Sequence, residues 1–433
     1  KEILVTAKYT ASTGTCVVTA TSADGATTYY TATATGYSGD LRTVNNTAKY
    51  NTASSSTASS AGWNYGFGAI DPEFVYDVAD TTSGSKLPKT YTVGSTTCYA
   101  MTFGSWKGGI ALIYVDTDTL QPVDAIGNIL TQPLDEETMS TCFTRIGGGY
   151  GGAYEGSQLI YNSDTGYYYL FVSMGDLSYE YRVGVGRSTS ITGPFQDAGG
   201  KSMLLTSSTG STYHAIGSKI IGAAAFDREY SWRCPGGESI LRTSDGKIMF
   251  ACHSRTNFKA GYYFYLQSRQ MFFTSDGWPV LNQNEYYDDY DGSDEGLTVL
   301  TASKIAGTYD TILTVRGTET SSFTPYGGTA GTYNTCDETP TASVSMTLGS
   351  DGTISGDTYA GTWTLGSDGY TVTMALTKAD GTALGTFCGY ALKATDWARE
   401  GNVTRQTISF TTIDSTSGDT EAGEYFFGNK HNY

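Results

Sequence analysis

The stretch EGSQLIYNSDTGYYYLFVSMG, residues 155–175, decides the fold. Two runs of apolar and aromatic residues flank Asn-Ser-Asp-Thr-Gly, which is the pattern of strand, tight turn and strand. Outward from it, the pattern recurs. One cluster runs from AIDPEFVYD (69–77) through CYAMTFGSWKGGIALIYVD (98–116). The opening stretch continues into YRVGVGRSTSITGPFQD (181–197), and a third cluster runs from GESILRTSDGKIMFACHSR (237–255) through YLQSRQMFFTSDGWPVLN (265–282). Each holds three or four short strands, a turn rich in Asp and Gly, and an acidic residue near its first strand. Blade-like units of four strands around an axis are the natural architecture for such clusters. Periodicity alone leaves a β-sandwich open.

Composition agrees with an all-β chain. The 433 residues include 54 glycines, only 9 prolines and 34 tyrosines. No window holds a helical apolar period for more than about two turns. A net charge of −17 excludes a basic groove for nucleic acid and electrostatic docking on anionic lipid. No run approaches the roughly eighteen apolar residues of a membrane helix. The seven cysteines are widely spaced with no CxxC pair, which disfavours zinc and redox motifs. Cys336 and Cys388, both in the C-terminal block, are a candidate disulfide. Residues 1–297 read as one unit, of which 1–62 are divergent and Thr/Ser-rich. The acidic YYDDYDGSDEG (286–296) reads as a solvated loop, and residues 298–433 form a second block of short strands and Gly/Asp turns.

AIDPEFVYD raises a chemical question. Asp is depleted in strands and Pro is tolerated only at their first positions or edges, so an Asp-Pro at a strand's mouth asks for a reason. Asp71 and Glu155 hold the same relative place in successive clusters. At the leading ends of innermost blade strands they would converge on one central pocket. Two carboxylates there shift one another's proton affinity and make acid and base roles available, as hydrolysis of a glycosidic bond requires. On spacing alone, a turn cap at Asp71 and an ion pair of Glu155 with Arg145 or Arg182 explain the same residues.

Several stretches in order resemble the secreted endo-α-1,5-L-arabinanases of glycoside hydrolase family 43. They are GAIDPEFVYD, FGSWKGGIALIYVD, YEGSQLIYNSDTGYYYLFVS, YRVGVGRSTSITGPFQD, CHSR and RQMFFTSDGWPVLN. The resemblance covers about residues 62–287. IAGTYDTILTVRG and LGSDGTISGDTYAGTWTLG resemble the β-barrel-like domain that follows the propeller in that subgroup. The resemblance implies a five-bladed β-propeller, then a small barrel, and an inverting mechanism on arabinan, a plant cell-wall polysaccharide. It implies Glu155 as the acid that protonates the leaving oxygen and Asp71 as the residue that tunes and orients it. Trp106, Ser105, Asn64, Phe67 and Trp232 are the expected sugar contacts, with blade-to-blade core packing the alternative for each aromatic, whereas Trp278, followed by Pro279, reads as structural.

The sequence departs from the family in two places. The general base is expected in a first-blade His-Asp-Pro triplet, and no such triplet occurs. The chain begins KEILVTAKY, without an initiator methionine or signal peptide. A processed or trimmed start is therefore expected, with the first blade on a separate N-terminal fragment or lost. The alternative is a non-catalytic glycan-binding or cell-surface protein on the same scaffold; either reading expects a secreted or surface-held microbial protein. The second departure concerns the calcium ion that the resemblance implies, held by a histidine of a Pro-Gly-His stretch. Here CPGGES (234–239) puts Gly237 in that place. His253 is the substitute candidate for a metal ligand, with a hydrogen-bonded core histidine as the alternative, and Glu238 a candidate further oxygen donor.

Overall fold

The computed structural model describes residues 3–10, 15–34, 70–81, 87–130, 142–177, 181–206, 215–226, 230–256, 264–287, 295–315, 341–396, 405–416 and 422–431. The hairpin of the opening stretch shows how the molecule is layered. Tyr154–Asn162 pairs antiparallel with Tyr167–Met174, Ile160 standing opposite Tyr169. Side chains alternate between faces with a period of two. Leu159, Leu170, Val172 and Met174 enter one apolar core with Val75, Ile110 and Leu112. Ile160, Tyr169 and Phe171 enter a second core with Ile240, Phe250 and Met271. The hairpin is apolar on both faces because a sheet lies against each.

Three sheets are stacked in this way, as blades are. The first runs Thr144–Gly147, Ile110–Asp116, Thr96–Phe103, Glu73–Phe74, with Thr90–Val93 and Pro122–Val123 at its margins. The second runs Ser218–Ile221, Arg182–Ser188, Tyr167–Met174, Tyr154–Asn162, Tyr76–Asp77. The third runs from Pro279–Leu281 through Phe264–Phe273, Ile248–Thr256 and Tyr230–Arg242 to Ala224–Phe226. The expected all-β class is found. Among the described residues three sheets are blade-like; the count of five remains an expectation of the resemblance. A separate three-stranded sheet, Ile3–Thr10, Thr15–Ser22 and Thr28–Ala34, lies at the start of the chain.

The segment after Asp71 crosses between sheets. Glu73–Phe74 pairs with Thr96–Phe103 in the first, and Tyr76–Asp77 runs parallel to Tyr154–Asn162 in the second. Asp71 and Pro72 precede both pairings. Their poor strand propensity therefore costs the ladder nothing.

The C-terminal block closes into an eight-stranded barrel between Gly307–Thr314 and Tyr425–Lys430. Tyr309, Trp363, Phe387, Phe410 and Phe426 fill it. One strand from this block, Thr341–Ala342, extends the third sheet by pairing with Ala224–Phe226. Ile413 and Tyr425 reach the core between the second and third sheets, and the Tyr425 hydroxyl donates to Pro279 O at 2.9 Å. Cys388 carries a free, half-buried thiol, and Cys336, the other half of the candidate disulfide, lies outside the described residues.

Candidate active site

Glu155 sits where its strand is irregular. It stands opposite Ser173, and the register shifts between Glu155 and Gln158. A bulge turns a side chain out of the regular alternation, and here it frees Glu155 from the stacked cores. The carboxylate is half-buried and takes two hydroxyls. Tyr181 donates to Oε1 at 2.8 Å, and Ser105 donates to Oε2 at 3.2 Å. Among the described residues neither Arg145 nor Arg182 is its partner, which removes the ion-pair alternative. Asp71 is exposed, and its Oδ2 accepts from the backbone N–H of Gly156, the residue after Glu155, at 3.3 Å. Its φ of +52° is left-handed, a conformation Asp tolerates better than most side chains.

Ser105 precedes a short turn, Trp106–Gly108, whose approach to the glycine-rich loop before Glu155 admits no side chain. A Cβ on Gly109 would lie 2.3 Å from Gly147 O and 2.4 Å from Gly149 N. Trp106, at φ +47°, is 39% exposed beside this contact. Gly104 N donates to Ile70 O at 3.2 Å, tying the turn to the residue before Asp71. Asp71, Ser105, Trp106 and Glu155 thus occupy one locality although 84 positions separate the two carboxylates.

Behind Glu155 lies a polar chain, of which the sequence points to Glu238 alone, and there as an oxygen donor to a metal. Tyr181 is almost fully buried beside Ser173 and donates its hydrogen bond to Glu155; burial first, then the charge of Glu155, pushes its hydroxyl pKa far up. Ser173 donates to Glu238 Oε2 at 2.6 Å and accepts from Gly237 N at 2.8 Å. Glu238 is sealed from solvent, and burial lifts its carboxyl pKa to about 8. Its Oε1 has no hydrogen-bond partner among the described residues. The signal was present in YYYLFVSM, where a lone serine ends an apolar run.

His253 fills the space beside Gly237. A Cβ at position 237 would stand 2.8 Å from its Cδ2 and 3.0 Å from its Nε2. Tyr181 stacks on its ring at 5.8 Å and Phe264 meets it edge-on at 4.7 Å. Burial, then Arg255, lowers its pKa. Calcium takes six to eight oxygen ligands. The neighbourhood offers an imidazole between aromatic rings and one buried carboxyl, and among the described residues no three His, Cys, Asp or Glu side chains come together. These donors do not fit calcium, and the metal role expected of His253 and Glu238 is not supported.

The expected sugar contacts divide. Ser105 hydrogen-bonds to Glu155, and Trp106 is the next residue in the chain. Asn64 and Phe67 fall outside the described residues. Trp232 is a correction: it is fully buried with Phe226, Ile312 and Phe427 where the third sheet meets the barrel, and its Nε1 donates to Gly222 O at 2.9 Å. An aromatic of that size was worth more as a seam between units than as a cleft wall. Trp278 is buried under Arg187, whose guanidinium lies 4.1 Å from its ring.

Residues 105–279 match the model of the glycosyl hydrolases family 43, and residues 287–421 match that of a C-terminal lipocalin-like domain. An extracellular endo-α-(1→5)-L-arabinanase of Thermotoga petrophila is 29% identical over 222 residues, covering 49% of this chain and 43% of its own. Extracellular endo-α-(1→5)-L-arabinanase 1 of Bacillus subtilis is 30% identical over 211 residues, covering 45% of this chain and 50% of its own. The chain thus spans half or less of the length of these curated relatives. A solved endo-1,5-α-L-arabinanase from Thermotoga petrophila aligns with 99% of this chain and 81% of its own, at TM-score 0.65 and 21% identity. A family 43 glycoside hydrolase from Bacillus licheniformis aligns with 100% and 81%, at TM-score 0.65 and 20% identity. At those identities the likeness is one of fold.

Proposed function

We propose that this chain, whose residues 105–279 match the model of the glycosyl hydrolases family 43, hydrolyses α-1,5-L-arabinofuranosidic bonds in arabinan, outside the cell. The observation that carries this reading is Glu155, turned out of its strand by a bulge, held by two hydroxyls and linked through Gly156 to Asp71. Glu155 gives a proton to the leaving oxygen. Tyr181, whose hydroxyl keeps its proton, is a constant donor to Oε1. The Ser105 hydroxyl, at the longer distance, rotates between donor and acceptor and lets Oε2 carry the proton. Asp71 fixes the backbone on which Glu155 is mounted, and Trp106 offers a ring face for a furanose.

The resemblance assigns the water-activating base, and with it inversion, to a His-Asp-Pro triplet that the sequence lacks. Glu238 does not replace that base, since it is sealed and protonated near neutral pH. The described residues therefore support the acid half of the reaction. A second reading, a glycan-binding protein on the same scaffold, rests on the exposed Trp106 ring, which serves binding without chemistry. Release of reducing ends from linear arabinan, followed beside binding of arabino-oligosaccharides, separates the two. Hydrolysis supports the enzyme; binding without hydrolysis replaces it with the binder.

A further inference from the structure

A cavity of about 890 Å³ opens away from the carboxylates, where hairpin tips of the second and third sheets face the start of the barrel unit. Asn162 marks the separation. It lies at the far end of the strand that begins beside Glu155, and seven residues at ~3.3 Å each place it about 23 Å away. We propose that this cavity is a second saccharide-binding site, which anchors a distant part of a polysaccharide while Glu155 acts on another.

The lining carries the argument. Tyr390, whose ring meets Phe272 edge-on at 5.9 Å, supplies an aromatic wall. Planar polar side chains surround it: Asn162, Arg242, Asp245, Gln270 and Glu295. Gln270 is 7% exposed and Glu295 8%, yet Gln270 Oε1, Glu295 Oε1 and Arg242 Nε have no hydrogen-bond partner among the described residues. Both signs of charge are present: Arg242, Lys247, Asp245 and Glu295 all line the cavity, and Lys247 pairs with Asp245. An apolar ligand would leave these groups unpaired, and a polyanion would meet the carboxyl groups. A neutral polyol suits the set: its hydroxyls both donate and accept, and its ring faces stack on aromatics. The volume falls in the range of small-ligand sites and holds a few sugar units. Tethering at one site raises the effective concentration of chain at the other.

The proposal concerns binding alone and stands apart from the catalytic reading, except that the saccharide probes come from it. The test is hydrogen–deuterium exchange of the full chain as Glu155→Gln, with arabinohexaose and with xylohexaose, beside calorimetric titration. Protection at the hairpin tips near residues 162–167 and 243–248, with two sites per chain, is expected. Asp245→Ala with Lys247→Ala, on an exposed hairpin, should weaken that second binding at least tenfold and leave wild-type hydrolysis of arabinotriose unchanged. Leu297→Glu at the exposed rim gives an independent reading. Protection confined to the surroundings of residues 105 and 155, or tip protection that survives both variants, overturns the proposal. Tip protection in a protein that does not cleave arabinan sustains the second site while the arabinanase reading fails.

Discussion

Tyr181 does two jobs that one substitution separates. Tyr181→Phe keeps the stack on His253 but removes the hydroxyl that Glu155 accepts. A hydrogen bond to a charged group contributes about 1.5–3 kcal/mol, so a fall in kcat of roughly tenfold to a hundredfold is expected with the melting temperature little moved. Steady-state kinetics beside thermal unfolding reads both. Glu238 gives a pH signature. The unfolded chain loses this proton near pH 4.5, whereas the folded protein keeps it to about 8. Stability therefore falls as pH rises through that window and levels off above it. Glu238→Gln should flatten the decline, measured as denaturation midpoints at pH 5, 6.5 and 8; an unchanged decline would show that another group is responsible. These residues were the least legible in the sequence. Asp71 and Glu155 were readable because equivalent places in repeated clusters converge. Tyr181, Ser173 and Glu238 meet across two sheets, and nothing in a single strand's pattern announces such a meeting.

Among the elements, the Trp106 turn depends on backbone meeting backbone. Gly109→Ala would place a methyl within 2.4 Å of two loop atoms, so the turn must move and take Ser105 with it. Activity should drop more steeply than for Ser105→Ala, with a loss of stability of about 1–3 kcal/mol. A variant with wild-type activity would detach the turn from the site. The same scale explains what the sequence showed well. Period-two alternation with turns rich in Asp and Gly made the hairpins legible, down to the reversal at residues 163–166. It did not reveal that both faces of the second sheet are covered, nor that Trp232 belongs to a seam, because periodicity describes a strand and not its neighbours.

In the molecule as a whole, the barrel is joined to the stacked sheets by polar as well as apolar contacts. The Asn284 amide donates to Ser409 Oγ and Asn429 Oδ1, each at 2.8 Å, and accepts from Asn429 Nδ2 at 2.8 Å, all three side chains buried. Asn284→Ala strands the buried Asn429 Nδ2, at about 1–3 kcal/mol, while Ser409 and Asn429 keep their bond to each other. Calorimetry should show one cooperative transition in the wild type and a lowered or split one in the variant. A variant that melts like the wild type would mean that the apolar seam around Trp232 and Phe427 alone joins the units. The barrel was legible as a block of hairpins; its closure, and the strand it lends to the third sheet, follow from pairings far apart in the chain.

The role of Glu155 as proton donor is the claim on which the rest depends, and leaving-group dependence tests it most directly. Rates of wild type and Glu155→Gln would be compared on arabinotetraose and on an aryl arabinotrioside whose phenolate departs without a proton. A proton donor is needed only where the departing oxygen is basic. The account predicts a deficit of at least a thousandfold on the oligosaccharide that shrinks to within about tenfold on the aryl substrate. Equal deficits on both substrates would contradict it and leave Glu155 as a residue that merely holds the sugar.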